Sequence, residues 1–335
     1  MNSFERVFSV MEGKKPDRLP NMNILMQFAA REISVKYREY STDYRNIVHG
    51  NLACAEKYGL DCVTVMQGPM SEAHDLGAKV IFPEDDVPYS PEPLIRAHAD
   101  VKTLSTVGVP SGGKMENIVR AVESYVSQVK GELPIIGWVE GCFAEAADLM
   151  GVTEFLTTLA DPDEESFIRD LLDIILEQEI IFARAQIAAG ADIIGVGDAI
   201  ASVAGPVFYR KLAREYEAKL LAAIQSAGAK TKLHICGNIH PFLADIPVEY
   251  CDIVDADWMV PLSDAVRILD GRCVLCGNYD PVTVLLSGTS ADVDAAVREC
   301  AAVVGLKHFT AAGCEVPRHT PPENLMQIKL TAESL

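Results

Sequence analysis

The chain has 335 residues, 49% of them hydrophobic, and 29 lysines and arginines against 48 aspartates and glutamates leave a formal charge of -19. That composition suits a large buried core and excludes a disordered chain, and the acidic excess argues against a nucleic-acid or anionic-membrane surface. Residues 1–17 hold no apolar signal region and no run approaches a membrane span, so a cytoplasmic protein is expected, and the scatter of nine cysteines suits a reducing compartment.

An amphipathic helix is predicted over residues 1–13, with Phe4, Val7, Phe8 and Met11 at helical spacing. A first strand follows at 21–26, a helix at 46–58, a second strand at 62–66, and an extra strand at 78–82 leading into an acidic, exposed excursion, Glu84-Asp85-Asp86. Next come a helix over 115–129, a third strand at 134–139, a helix from about Ala144, another over 163–189, and a fourth strand at 192–196. Pro206 starts a further helix, and the fifth strand runs from Thr231 into His234-Ile235-Cys236-Gly237. The sixth, seventh and eighth strands fall at 252–257, 274–278 and 307–311, with helices over 262–269 and 291–304 between them.

Eight strand–helix units predict an α/β fold, a single TIM (β/α)8 barrel over 21–335 with an N-terminal helix within 1–20. A doubly wound sheet is the rival. The barrel is favoured because small and polar residues collect at strand C-terminal ends: Gly197-Asp198, Asp255-Ala256-Asp257, Gly277-Asn278-Tyr279-Asp280 and Gly313-Cys314-Glu315. In a barrel these ends open on one face, where barrel enzymes keep their chemistry.

Within the fifth strand, period 2 points His234 and Cys236 to the same side. Cys314, at the turn after the eighth strand, offers a third ligand, although it must reach across the mouth on its loop. One imidazole and two thiolates with a free fourth position is a catalytic pattern for zinc rather than a structural one. Asp255, Asp257 and Glu315 are candidates for a fourth ligand or for partners of His234. His240 and His319 read as rim histidines. Cys273-Val274-Leu275-Cys276 is formally a C-x-x-C, but positions i and i+3 of a strand face opposite sides, so the pair reads as core packing. Glu140, Asp198 and Glu72 are candidate catalytic residues able to orient substrate at the mouth, each with an alternative as a cap or turn residue.

The segments His234-Ile235-Cys236-Gly237-Asn238, Gly277-Asn278-Tyr279-Asp280-Pro281 and Gly313-Cys314-Glu315-Val316-Pro317, with Thr320-Pro321-Pro322-Glu323-Asn324, resemble the uroporphyrinogen decarboxylase superfamily over nearly the whole chain. Within it the chain is most similar to the zinc-dependent, corrinoid-linked methyltransferases, including methylcobamide:coenzyme M methyltransferases and O-demethylases, and Ser71-Glu72-Ala73 also fits that branch. The resemblance implies a TIM barrel, zinc on His234, Cys236 and Cys314, and a corrinoid carried by a partner protein; Asn238, Asn278 and Tyr279 are candidate cofactor-binding residues, Tyr279 also being placed to line the mouth and orient substrate. A thiol such as coenzyme M, a folate, a methoxylated aromatic or a methylamine are all open as donor or acceptor. The decarboxylases themselves differ: their arginine-rich N-terminal segment is not matched, Arg31 being its one weak counterpart, and acids and thiols stand where a tetrapyrrole with acetate arms wants cations. A decarboxylase-like enzyme and a non-catalytic corrinoid- or tetrapyrrole-binding barrel are the two alternatives.

Overall fold

Six parallel strands follow one another around the fold in sequence order in a computed structural model that describes residues 1–335. They are β1 (Val63–Thr64), β2 (Ile135–Glu140), β3 (Ile193–Gly197), β4 (Lys230–Ile235), β5 (Ile253–Ala256) and β6 (Val274–Cys276). Two further segments close the ring. Phe309 N donates to Leu275 O at 3.0 Å and Gly277 N to Phe309 O at 3.1 Å, which seats residues 309–310 beside β6. Met22 N then donates to Thr310 O at 3.0 Å, and Asp61 N to Asn21 O at 2.7 Å, so residues 20–22 bridge back toward β1. The result is the eight-membered barrel expected from the alternation.

The predicted first and eighth strands are therefore present as bridges rather than regular ladders, Asn21 pairing with Thr310 and Cys276 with Phe309. The predicted strand at 78–82 is corrected: only one antiparallel bridge forms, Ile81 to Tyr89. A strand needs an unpaired neighbour, and in this excursion the segment can fold back only on its own hairpin. Pro206 does begin a helical stretch. Gly205, at φ 80° and ψ 177°, breaks the run Ala199–Phe208, leaving a short helical turn ahead of the proline.

Register fixes what faces inward. Glu140, Gly197, His234, Asp255 and Cys276 are successive partners across β2 to β6 and form one row. Below it, Ile136, Ile193, Ile253 and Phe309 pack with Val7 and Val10 of the Ser3–Met11 helix, which plugs the N-terminal end of the barrel. Arg6 and Arg18 each reach the fully buried Asp61 at 2.7 Å, tying that plug to the segment entering β1. With one end plugged, the opening lies at the strand C-termini, as in barrel enzymes generally. No helix is long and apolar enough to cross a membrane.

Candidate metal centre

Lys232 and His234 share the inward face of β4 because they are two residues apart, and Cys236 follows on the same side just past the strand. Gly237, with φ at 92°, turns the chain immediately afterwards. Cys314 arrives from the turn after Phe309–Ala312. Its predecessor Gly313 is packed so closely that an added Cβ would stand 2.1 Å from Trp258 N, so only glycine lets the turn pass there.

These elements bring the three sequence-derived ligands together. His234 Nε2 lies 2.9 Å from Cys236 Sγ, and Cys236 Sγ lies 3.5 Å from Cys314 Sγ. All three potential ligand atoms fall within 4.8 Å of one another. Tetrahedral zinc with these ligands would separate them by about 3.6–3.8 Å, so the trio is already gathered at the scale an ion needs. The protonation pattern fits as well. The Cys314 thiol is drawn down to about 4, chiefly by the Cys236 thiol and also by His234, whereas Cys236 is pushed up. A metal displaces such shared protons, because its ligands are thiolates and neutral imidazole. The donor set and its spacing can therefore hold a soft divalent ion.

His234 is supported from behind. Its Nδ1 stands 3.4 Å from Asp255 Oδ2, and the same oxygen is 2.7 Å from Lys232 Nζ, with all three side chains at most 3% exposed. The contacts are ion pairs by distance, though neither Asp255 oxygen has a donor in hydrogen-bond alignment. Burial pushes the Asp255 carboxyl up, but Lys232 and His234 outweigh it and hold it at about 2. An ionised Asp255 thus faces Nδ1 while Nε2 faces the cysteines, the carboxylate–histidine arrangement common behind metal ligands. Lys232 was not singled out from sequence. The signal was available, since a lysine two residues before His234 must share its inward face.

The other candidates occupy different places. Asp257 Oδ1 accepts from Met259 N at 2.9 Å within its own turn, and Glu315 Oε1 accepts from Gln27 N at 2.9 Å at the start of the Gln27–Glu32 helix, so backbone N–H groups take up both carboxylates. Asp198 accepts from Phe143 N and Ala144 N at 3.3 and 2.9 Å and caps the Cys142–Met150 helix. Asn278 donates to Asp257 O and Val260 O, and the Tyr279 hydroxyl pairs with Asn23, so the fold takes up the polar groups of both. Asn238 is exposed and accepts from His240 N. His240 pairs with Asp264 at 3.0 Å, outside the cluster. Cys276 lies inside the barrel and Cys273 at its outer side, and neither is disulfide-bonded.

Glu140 and Glu72 do come together. Glu72 Oε1 accepts from Glu140 N at 3.3 Å, with Glu72 3% exposed and Glu140 half-buried at the end of β2. Burial raises Glu72 to about 7 and raises Glu140 strongly, with Glu72 adding to the rise. Trp138, two residues before Glu140, crosses the barrel above Gly195 and Gly197, where an added Cβ would meet its ring at 2.3 and 2.7 Å. Its ring centroid is 6.4 Å from that of His234. Sequence reading also missed Glu145 and Glu179, both fully buried with all four carboxylate oxygens unpartnered. An acid inside the apolar run Cys142–Met150 was the available sign.

Known proteins place this geometry in a family. Over 219 residues the chain is 32% identical to a methylcobamide:CoM methyltransferase MtbA of Methanosarcina mazei, covering 64% of this chain and 62% of that protein. Over 338 residues it is 26% identical to a methylcobamide:CoM methyltransferase MtaA of Methanosarcina barkeri, covering 96% of this chain and 94% of that one. A solved methyltransferase from Methanosarcina mazei superposes with a TM-score of 0.87 at 22% identity, covering 100% of this chain and 99% of that one. The family description for uroporphyrinogen decarboxylase (URO-D) matches residues 2–334. With that match spanning nearly every residue of the barrel described above, the chain belongs to the uroporphyrinogen decarboxylase family.

Proposed function

We propose that this protein is a zinc-dependent methyltransferase that moves a methyl group between a corrinoid, presented by a partner protein, and a small molecule such as a thiol or a methoxylated compound. The observation that carries the reading is the convergence of His234, Cys236 and Cys314 at the open end of the barrel. Those three residues would hold the ion and leave one position free. Zinc in a site of one imidazole and two thiolates supplies a means of holding a substrate thiol as thiolate at neutral pH, or of polarising an ether oxygen.

The chain's own residues set the conditions for that chemistry. Asp255 faces Nδ1 of His234 and so keeps Nε2 toward the cysteines, and Lys232 balances the charge that Asp255 adds. Trp138 fills the space left by Gly195 and Gly197 and forms an apolar wall beside His234, which restricts water there. The partner reading is supported by apolar side chains on three segments that follow strand ends. Val203 and Val207 after β3, Trp258 and Met259 after β5, and Val282 after β6 are between 46% and 69% exposed. The relatives' names, methylcobamide:CoM methyltransferase, agree in reaction class. Decarboxylation of a tetrapyrrole fits less well, because Lys232, the cation facing the barrel interior beside the cluster, is bound to Asp255.

The test is elemental analysis of dialysed wild type beside His234→Ala, Cys236→Ser and Cys314→Ser. The expected result is about one zinc per chain in the wild type and its loss in all three variants, together with methyl transfer from free methylcobalamin in the wild type alone. A wild type without zinc, or variants that all retain it, would sink this reading and favour the decarboxylase.

A further inference from the structure

Most thiols of this chain are shut away from one another and from solvent. None of the nine cysteines is disulfide-bonded, and Cys54, Cys62, Cys142, Cys251, Cys276 and Cys300 are buried in the core. Cys273 is half-buried at the outer side of the barrel. Cys236 and Cys314 differ from all of these. Both are half-buried at the open end, and their sulfurs stand 3.5 Å apart, a contact that no other two cysteines make.

The backbone at both positions is free of the sheet. Cys236 lies one residue past the end of β4 and is followed by Gly237 with φ at 92°, and Cys314 follows Gly313 in a bend outside any strand. A disulfide needs its sulfurs about 2 Å apart, so each has about 0.7 Å to travel. Sulfurs at an open barrel end are reachable by an oxidant as small as hydrogen peroxide, whereas thiols buried in apolar surroundings are inert. Joined to each other, the two sulfurs could no longer serve as thiolate ligands, and His234 would be the single donor left of the three.

We propose that Cys236 and Cys314 are a modification site for peroxides: oxidation joins them as a disulfide, dismantles the metal centre and stops methyl transfer until a thiol reductant reopens the pair. The loss of metal rests on the methyl-transfer reading, whereas the joining of the two sulfurs does not. One sulfur, as thiolate, attacks hydrogen peroxide; an S–O bond forms, the O–O bond breaks and hydroxide leaves. The second thiolate attacks that sulfur, an S–S bond replaces the S–O bond, and a second hydroxide leaves. Two protons from solvent turn both hydroxides into water, and the two electrons lost by the sulfurs are those gained by the peroxide. Reopening is ordinary thiol–disulfide exchange with a reducing thiol.

The experiment titrates the full-length, zinc-loaded protein with hydrogen peroxide and follows zinc freed to a chromophoric chelator, thiols counted after denaturation, and non-reduced peptide maps. Two of the nine thiols are expected to disappear for each zinc freed, in a peptide pair that joins Cys236 to Cys314. Dithiothreitol should restore both thiols and, with zinc supplied, the ion. Cys273→Ser, which removes the other half-buried thiol, should oxidise like the wild type, and Cys236→Ser and Cys314→Ser should form no disulfide. A crosslink between other cysteines, zinc loss with a sulfinate at one sulfur and no crosslink, or nine intact thiols in millimolar peroxide would overturn the proposal. If the chain carries no zinc, the methyl-transfer reading fails, and the thiol count and peptide map alone then uphold or overturn the pair.

Discussion

The His234 side chain is set by two residues that never touch the opening, Asp255 and Lys232. Both are 2% exposed, and their 2.7 Å pairing lies under the cysteine–histidine cluster. A buried ion pair is weak evidence for stability, but breaking one partner leaves the other charge stranded. Lys232→Met is therefore expected to destabilise the fold by about 3–5 kcal/mol, read by chemical denaturation. The double variant Lys232→Met with Asp255→Leu should recover most of that loss, since two apolar side chains replace two desolvated charges. Its zinc affinity should nonetheless fall about 10- to 100-fold, because Nδ1 of His234 then has no orienting acceptor. A double variant that binds zinc like the wild type would show that Asp255 is a structural counter-ion only.

At the scale of elements, β3 matters for what it lacks. Gly195 and Gly197 leave the room into which Trp138 of β2 lays its indole, and an alanine methyl at position 197 would stand 2.7 Å from Trp138 Cζ2 and 3.1 Å from Nε1. Gly197→Ala should cost about 1–3 kcal/mol by overpacking and alter the near-ultraviolet dichroism of Trp138; an unchanged spectrum and unfolding midpoint would mean the indole has space to retreat. The same strands show why some of this molecule was readable in advance. The alternation of apolar runs with helical periodicity announced the barrel, and residues two apart on one strand, His234 and Cys236, had to share a face. Helical spacing announced the N-terminal helix in the same way through Phe4, Val7, Phe8 and Met11, but not that Val7 and Val10 would plug the barrel. Caps were harder: Asp198, Glu315 and Asp257 stand at strand ends, where an acid reads equally well as a catalyst or as an acceptor for backbone N–H groups. Only Asp257 accepts from its own turn, whereas Asp198 takes Phe143 N and Ala144 N and Glu315 takes Gln27 N, all far away in sequence. Which it is depends on which helix start the fold brings up to that strand end, often one from a distant part of the chain. The strand expected at 78–82 failed for a related reason, since β composition gives no partner to pair with.

For the whole molecule, the formal charge of -19 understates an unusual feature, that many of its acids lie inside. Burial raises Glu72, Asp148 and Asp198 to about 7 and pushes Glu140, Glu145, Glu179 and Glu217 up strongly. A carboxyl whose pKa is higher in the folded state binds more protons folded than unfolded through the interval between the two values, so stability falls as pH rises across it. That interval starts near the ordinary carboxyl value of about 4.5 and runs through about 7 and beyond. The fold should therefore be most stable at mildly acidic pH and lose stability between about pH 5 and pH 8. Repulsion among exposed carboxylates acts in the same direction over the lower part of that range, so a variant is needed to isolate the interior. Glu145→Gln and Glu179→Gln remove two charges that have no partner. Each is expected to gain about 1–3 kcal/mol near pH 8, where the wild-type carboxyl is under pressure to ionise. Near pH 5 each should gain little, because the buried acid is already neutral there. Denaturant titrations at the two pH values check this directly. A gain that is the same at both would assign the effect to packing, and a loss at both would mean that these carboxylates hold a cation in the folded protein.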